Sequence, residues 1–108
     1  MSRRFAFIQA ADIADYSLMM AQDENATISL VHDLRDRLLE PIAVRHGGEI
    51  LKRMGDGWII AYPSIVSSVA SAVEIQKGLV DHAKIRLRIG LHMGDIFSDE
   101  ADLYGAGL

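Results

Sequence analysis

His46-Gly47-Gly48-Glu49-Ile50-Leu51-Lys52-Arg53-Met54-Gly55-Asp56-Gly57-Trp58-Ile59-Ile60-Ala61-Tyr62 is the stretch that decides the fold. The glycine pair at its start is a helix stop, because glycine takes the left-handed conformation that ends a helix. Glu49 to Met54 then reads as a strand, Gly55-Asp56-Gly57 as a tight turn, and Trp58 to Tyr62 as a second strand rich in aromatic and β-branched residues. Together they make a hairpin.

Working outward, the residues before His46 are helical from about Glu24. Ile28, Val31, Leu34, Leu38 and Ile42 recur every three or four positions and form one apolar stripe. Pro41 interrupts that stripe and predicts a kink or break, since it donates no backbone hydrogen bond. Upstream, Phe5 to Ala11 reads as a buried strand closed by Asp12, and Asp15 to Met20 as a short helix capped by Asp15 or Asp12. Downstream, Pro63-Ser64 opens a helix whose buried face is marked by Ile65, Val69, Val73 and Gln76 or Val80. Lys84 to His92 alternates, with Lys84, Arg86 and Arg88 outward and Ile85, Leu87 and Ile89 inward, as in a half-buried strand. Gly94-Asp95 then turns the chain and Ile96-Phe97 starts another strand.

The order strand, helix, strand, strand, helix, strand predicts an α/β (α+β) fold of ferredoxin-like βαββαβ type. Its sheet is antiparallel with the helices on one face. The length of residues 1–108 suits one domain and not two. The core closes by His92, and the remainder is an appendage or the start of something longer.

Half of the residues are apolar and 24% are charged, with a net charge of −4. An acidic chain has no broad field for nucleic acid or anionic lipid. The absence of cysteine excludes disulfides and thiolate zinc sites. His32, His46, His82 and His92 have no i, i+4 spacing among them and read as structural or surface residues. The apolar run at the N-terminus is too short for a membrane span and lacks a signal-peptide pattern, so the expected location is cytoplasmic.

The topology makes a prediction about chemistry. Strands one and two run parallel with strand three between them, so Asp12 and Asp56 arrive at the same edge of the sheet. Two converging carboxylates suit a hard cation such as Mg²⁺, which leaves positions open for phosphates. Each aspartate also has an ordinary reading, one as a helix cap and one as half of an Asp-Gly hairpin turn.

Four segments carry a family resemblance. Ala10-Ala11-Asp12-Ile13-Ala14-Asp15-Tyr16-Ser17-Leu18-Met19 resembles the first signature of class III adenylate/guanylate cyclases. The stretch from His46 to Gly57 resembles the second, Arg88-Ile89-Gly90-Leu91-His92-Met93-Gly94-Asp95 the third, and Asp102-Leu103-Tyr104-Gly105 the start of the fourth. The resemblance implies that Asp12 and Asp56 bind two Mg²⁺ or Mn²⁺ ions with the Ile13 carbonyl, and that they carry the catalysis. It implies that the segment Ala14, Asp15, Tyr16 and Ser17 holds the nucleotide phosphates, and that Lys52 and Asp102 read the base.

The implied reaction is conversion of ATP to cyclic AMP and pyrophosphate by two-metal catalysis. Lys52 would donate to adenine N1 and Asp102 would accept from N6, whereas guanine reverses both polarities, so ATP is expected over GTP. The implied assembly is a head-to-tail homodimer, with the metal-binding aspartates from one protomer and Lys52 and Asp102 from the other.

Two departures stand out. Asp15 occupies a position where the family usually has glycine. The family's Asn and Arg, which serve the ribose and the transition state, would lie beyond Leu108, so the chain reads as the N-terminal part of the domain and as inactive or weak at this length. A catalytically silent nucleotide-binding regulatory domain is the alternative. A diguanylate cyclase or polymerase-type palm on the same kind of fold is the third reading; against the diguanylate cyclase stands the absence of a Gly-Gly-Asp/Glu-Glu-Phe motif.

Overall fold

The computed structural model describes residues 2–98 and 103–105. One five-stranded antiparallel sheet carries β1 (Ser2–Ile13), β2 (Glu49–Met54), β3 (Gly57–Tyr62), β4 (Leu87–Ser98) and β5 (Leu103–Gly105) in the order β2-β3-β1-β4-β5. Strands β1 and β2 are each antiparallel to β3, which lies between them, so the two run parallel as expected. The helices are α1 (Tyr16–Gln22), α2 (Glu24–Leu34), α3 (Glu40–Arg45) and α4 (Ile65–Leu79). They cover the sheet face that carries Ala11, Ile13, Trp58, Ile60, Tyr62 and Leu87. The expected βαββαβ arrangement is therefore present, extended by β5.

The first strand of the prediction extends further at both ends than the apolar pattern suggested and the last at its C-terminal end, while β4 begins at Leu87, three residues after the expected Lys84. Strand β1 includes Asp12 as its penultimate residue instead of ending there. Strand β4 passes straight through Gly94-Asp95, where a turn was expected. The reason is pairing: β1 extends back to Ser2, and its first residues supply a ladder for β4 as far as Ser98. The core accordingly does not close at His92, since Ile96 is buried too.

Between α2 and α3 the chain makes a π-helical turn, Arg35–Leu39. Pro41 sits in the first turn of α3, where its missing N–H costs least. Before the turn Val31 and Leu34 are buried; Leu39 at its end and Ile42 and Ala43 after it are buried too. The step of five from Leu34 to Leu39 is the mark of the wider turn. It makes Leu39 the fully buried residue, while Leu38, expected in the stripe, packs against the core from a half-buried position and Ile28 is 37% exposed.

Gly47 and Gly48 end α3 as expected. Gly47 is left-handed at φ 80°, its N–H donates to Val44 O, and the Gly48 N–H donates to Ala43 O at 2.8 Å.

The buried face of α4 differs from the expected one. Ser68, Ser71, Ile75 and Leu79 face the sheet, while Ile65, Val69, Val73 and Val80 are exposed, Val80 at 78%. Gln76 sits between, donating Nε2–H to Leu87 O at 2.9 Å. The cause is Gln9, which β1 buries completely on the helix side. Its amide N–H donates to Ser68 O at 3.2 Å, its carbonyl accepts from the Tyr62 hydroxyl at 3.2 Å, and that hydroxyl meets Ser71 Oγ at 2.7 Å. A buried amide without partners is costly, and the face of α4 that turns inward is the one whose Ser68 carbonyl and Ser71 hydroxyl complete this network, while the buried Ser68 Oγ itself has no hydrogen-bond partner among the described residues.

Two outcomes test this packing. A Cβ at Gly48 would lie 2.7 Å from Ala43 O and 2.9 Å from the Tyr62 ring. Gly48→Ala should therefore lose about 1–3 kcal/mol in urea unfolding. Glu40 receives both Arg53 nitrogens at 2.7 Å, and this hydrogen bond is the main cause holding its carboxyl below the usual range. A depressed carboxylate stabilises the fold above its unfolded pKa and loses that effect as pH falls through the folded value. Glu40→Gln should thus be less stable than the parent at pH 7 by up to about 1 kcal/mol, with the gap closing below about pH 4.

Candidate functional site

The site forms where β1 ends beside the β2–β3 turn. Asp12 stands opposite Gly57 on one side and opposite Arg88 on the other. The Ile13 N–H donates to the Asp56 carbonyl at 2.8 Å, which fastens the hairpin tip to the last residue of β1. Gly57 allows this approach, since a Cβ there would sit 2.7 Å from Ala11 O. The two aspartates predicted to converge thus lie on adjoining segments at one edge of the sheet.

Ala11 and Ile13 point into the helix-covered core, so the alternation of β1 sends Asp12 to the opposite, helix-free face. That face also carries a small apolar cluster of Ala6, Ile8, Ala61 and Ile96, with Leu51 and Ile59 against it. Lys52 lies on this face as well. It pairs with Ile59, which pairs with Ala10, so Lys52 and Asp12 are two strands and two residues apart, roughly 12 Å across the sheet. Asp102 lies outside the described residues.

The loop after β1 is tightly held. The Ala14 N–H donates to Arg86 O at 2.9 Å, so of the predicted phosphate segment this amide is already engaged. Asp15 is left-handed at φ 60°, ψ 27° and its side chain makes no cap hydrogen bond. The expected capping by Asp12 or Asp15 is not made; the capping carboxylate belongs to Asp23, which accepts from the Ala26 N–H at 3.0 Å at the start of α2. The first intrahelical hydrogen bond of α1 runs from Met19 N–H to Asp15 O, leaving the amides of Tyr16, Ser17 and Leu18 ahead of the ladder. Tyr16 is half-buried against the core and reaches toward Gly55, while Ser17 is exposed.

Among the described residues no three His, Cys, Asp or Glu side chains come together as a cage. The donors at the edge are oxygens: two carboxylates and the Ile13 backbone. That set fits Mg²⁺ or Mn²⁺, which take one or two carboxylates and keep water or phosphate in the other positions. It does not fit zinc, for which nitrogen or sulfur ligands are absent.

Arg88 is the residue that sequence reasoning missed. Its Nε donates to Asp12 Oδ1 at 2.7 Å. That hydrogen bond and the Asp12 charge, followed by the charges of Asp15 and Asp56, raise the guanidinium pKa. The sequence offered only its place in the third signature; the register that sets it opposite Asp12 comes from the structure.

No family model matches the chain. A solved adenylate/guanylate cyclase/hydrolase from Silicibacter pomeroyi superposes with a TM-score of 0.83 at 32% identity, covering 96% of this chain and 64% of that one. An adenylate cyclase from Trypanosoma brucei superposes at 0.82 with 20% identity, covering 94% and 63%, a likeness of fold alone. Fold and sequence together place the chain among the class III nucleotide cyclase catalytic domains. In sequence it is 35% identical to "Putative adenylate cyclase 3" of Rhizobium meliloti (strain 1021), covering 98% of this chain and 19% of that protein. The chain therefore spans about a fifth of the curated relative and somewhat under two thirds of the solved ones. Among the described residues no helix is long and apolar enough to cross a membrane.

The left-handed Asp15 generates one expectation. Glycine adopts this backbone without the steric penalty an L side chain meets. Asp15→Gly should raise stability by about 0.5–1 kcal/mol in urea unfolding; a loss instead would mean that the carboxylate makes a stabilising contact of its own.

Proposed function

We propose that this domain binds ATP with divalent metal ions and converts it to cyclic AMP and pyrophosphate. The observation that carries the reading is the convergence of Asp12 and Asp56 through the Ile13–Asp56 hydrogen bond on the helix-free edge of a cyclase-type sheet. Asp12, Asp56 and the Ile13 carbonyl would hold two Mg²⁺ or Mn²⁺ ions. Bound there, the metals would make the ribose 3′-hydroxyl a better nucleophile toward the α-phosphate and offset the charge of the leaving pyrophosphate.

The chain's own groups bind and orient. The amides of Tyr16 and Ser17, which lie ahead of the α1 hydrogen-bond ladder, would donate to phosphate oxygens. Lys52 and Asp102 would read the adenine edge by donating to N1 and accepting from N6. A head-to-tail homodimer would bring the base-reading pair of one protomer to the metal-binding pair of the other. The distance across the sheet between Lys52 and Asp12, and the apolar cluster on the face they share, support that arrangement. ATP supply makes the cytoplasm the expected location.

The test is cyclic AMP formation from ATP with Mn²⁺ or Mg²⁺, measured on this chain and on the chain lengthened past Leu108 to the span of its solved relatives. Product is expected from the lengthened chain, falling at least about 10²-fold in Asp12→Ala and in Asp56→Ala, and weak with GTP. Metal-dependent ATP binding without product would overturn the enzyme reading and leave a nucleotide-binding regulatory domain.

A further inference from the structure

The predicted metal carboxylate Asp12 already has a cationic partner. Arg88 faces it directly across the β1–β4 ladder, on the helix-free side of the sheet, with Nε 2.7 Å from Oδ1. Opposed charges at such positions attract each other, so the register itself delivers the guanidinium to the carboxylate. Asp15 and Asp56 also lie close enough to act on Arg88. The guanidinium therefore pairs with Asp12 and lies within electrostatic reach of Asp15 and Asp56.

The pair is an exposed one. The Arg88 side chain is 72% accessible and that of Asp12 48%. Exposed ion pairs are weak and break readily, because water solvates both partners when they part. A divalent ion binding through the same oxygen meets a partner it can displace.

We infer that Arg88 is a built-in competitor of the divalent cation at Asp12, holding the carboxylate until a metal displaces it and so raising the metal concentration at which the site fills. The inference rests on the reading of Asp12 as a metal ligand. Two effects act in the same direction. While Arg88 occupies Asp12, only the unpaired fraction of molecules is competent to bind metal, and apparent affinity falls by that fraction. When the metal is in place, a positive group tethered nearby repels it through solvent. Together they should weaken metal binding by about three- to tenfold at low salt.

The experiment is Mn²⁺ binding to the nucleotide-free protein, followed by the electron paramagnetic resonance signal of free Mn²⁺. Parent, Arg88→Gln, Arg88→Met, Arg88→Lys and Asp12→Asn are compared, with circular dichroism to check folding. Both neutral Arg88 variants should bind Mn²⁺ about three- to tenfold more tightly, and Arg88→Lys should stay within about twofold of the parent because its charge is kept. The gap should narrow in concentrated salt, which screens exposed charges. Asp12→Asn should bind weakly. If the neutral variants bind no more tightly than the parent while Asp12→Asn still loses the metal, the competitor role is overturned and the metal site stands. If neither the parent nor the neutral variants bind Mn²⁺, the metal-site reading falls and the inference falls with it.

Discussion

Strand β1 is hydrogen-bonded along both edges, to β3 from Phe7 to Asp12 and to β4 from Ser2 to Ile13. Everything else in the fold is positioned by that double pairing. It leaves β1 no freedom to slip, because a one-residue shift would exchange the faces of Ile8, Gln9, Ala11 and Ile13 at once. It also fixes the neighbours of Asp12, with the hairpin tip on one side and Arg88 on the other. The chemistry of the edge is thus a by-product of a register that the core enforces. The hydrogen bond from Ile13 to Asp56 is its last rung, and it closes the gap between two segments more than forty positions apart in the chain.

The core is not uniformly apolar. Gln9, Tyr62 and Ser71 form a satisfied polar chain beneath α4, and the Gln9 amide also reaches the backbone of Ser68. Such a network specifies which side of the helix meets the sheet, because another rotation would take the Ser68 carbonyl from the Gln9 N–H and the Ser71 hydroxyl from Tyr62. Its effect is visible on the outside: the valines of α4 that a simple hydrophobic pattern would bury are turned away from the sheet.

Most of the fold could be read from residue pattern because its strongest signals are local. The glycine stop at Gly47-Gly48, the Gly55-Asp56 turn and the alternation of Ile85, Leu87 and Ile89 each report on their own few residues. The same holds for the site, where topology alone brought Asp12 and Asp56 to one edge. The larger misses are non-local, whereas the missing cap at Asp15 and the π-helical turn at Arg35–Leu39 are local. Which face of α4 is buried was decided by Gln9, more than fifty residues away. The strand through Gly94-Asp95 depends on what β1 offers opposite it. Arg88 was read as an outward strand residue, correct as to direction, but its partner is a matter of cross-strand register. Asp15 was noted as a departure from glycine, and its positive φ supplies the reason that glycine is favoured there.

The π-helical turn at Arg35–Leu39 bears on how chains of this kind change length. One extra residue has been absorbed inside a helical segment while the buried positions before and after it stay seated on the same sheet. A related chain one residue shorter in this stretch could run as uninterrupted α-helix and still present Leu34 and Ile42 equivalents to the core. An alignment gap between two such chains would then fall within a helix, a place where gaps are ordinarily disallowed, and would mark a shift of helical phase and not the loss of a loop.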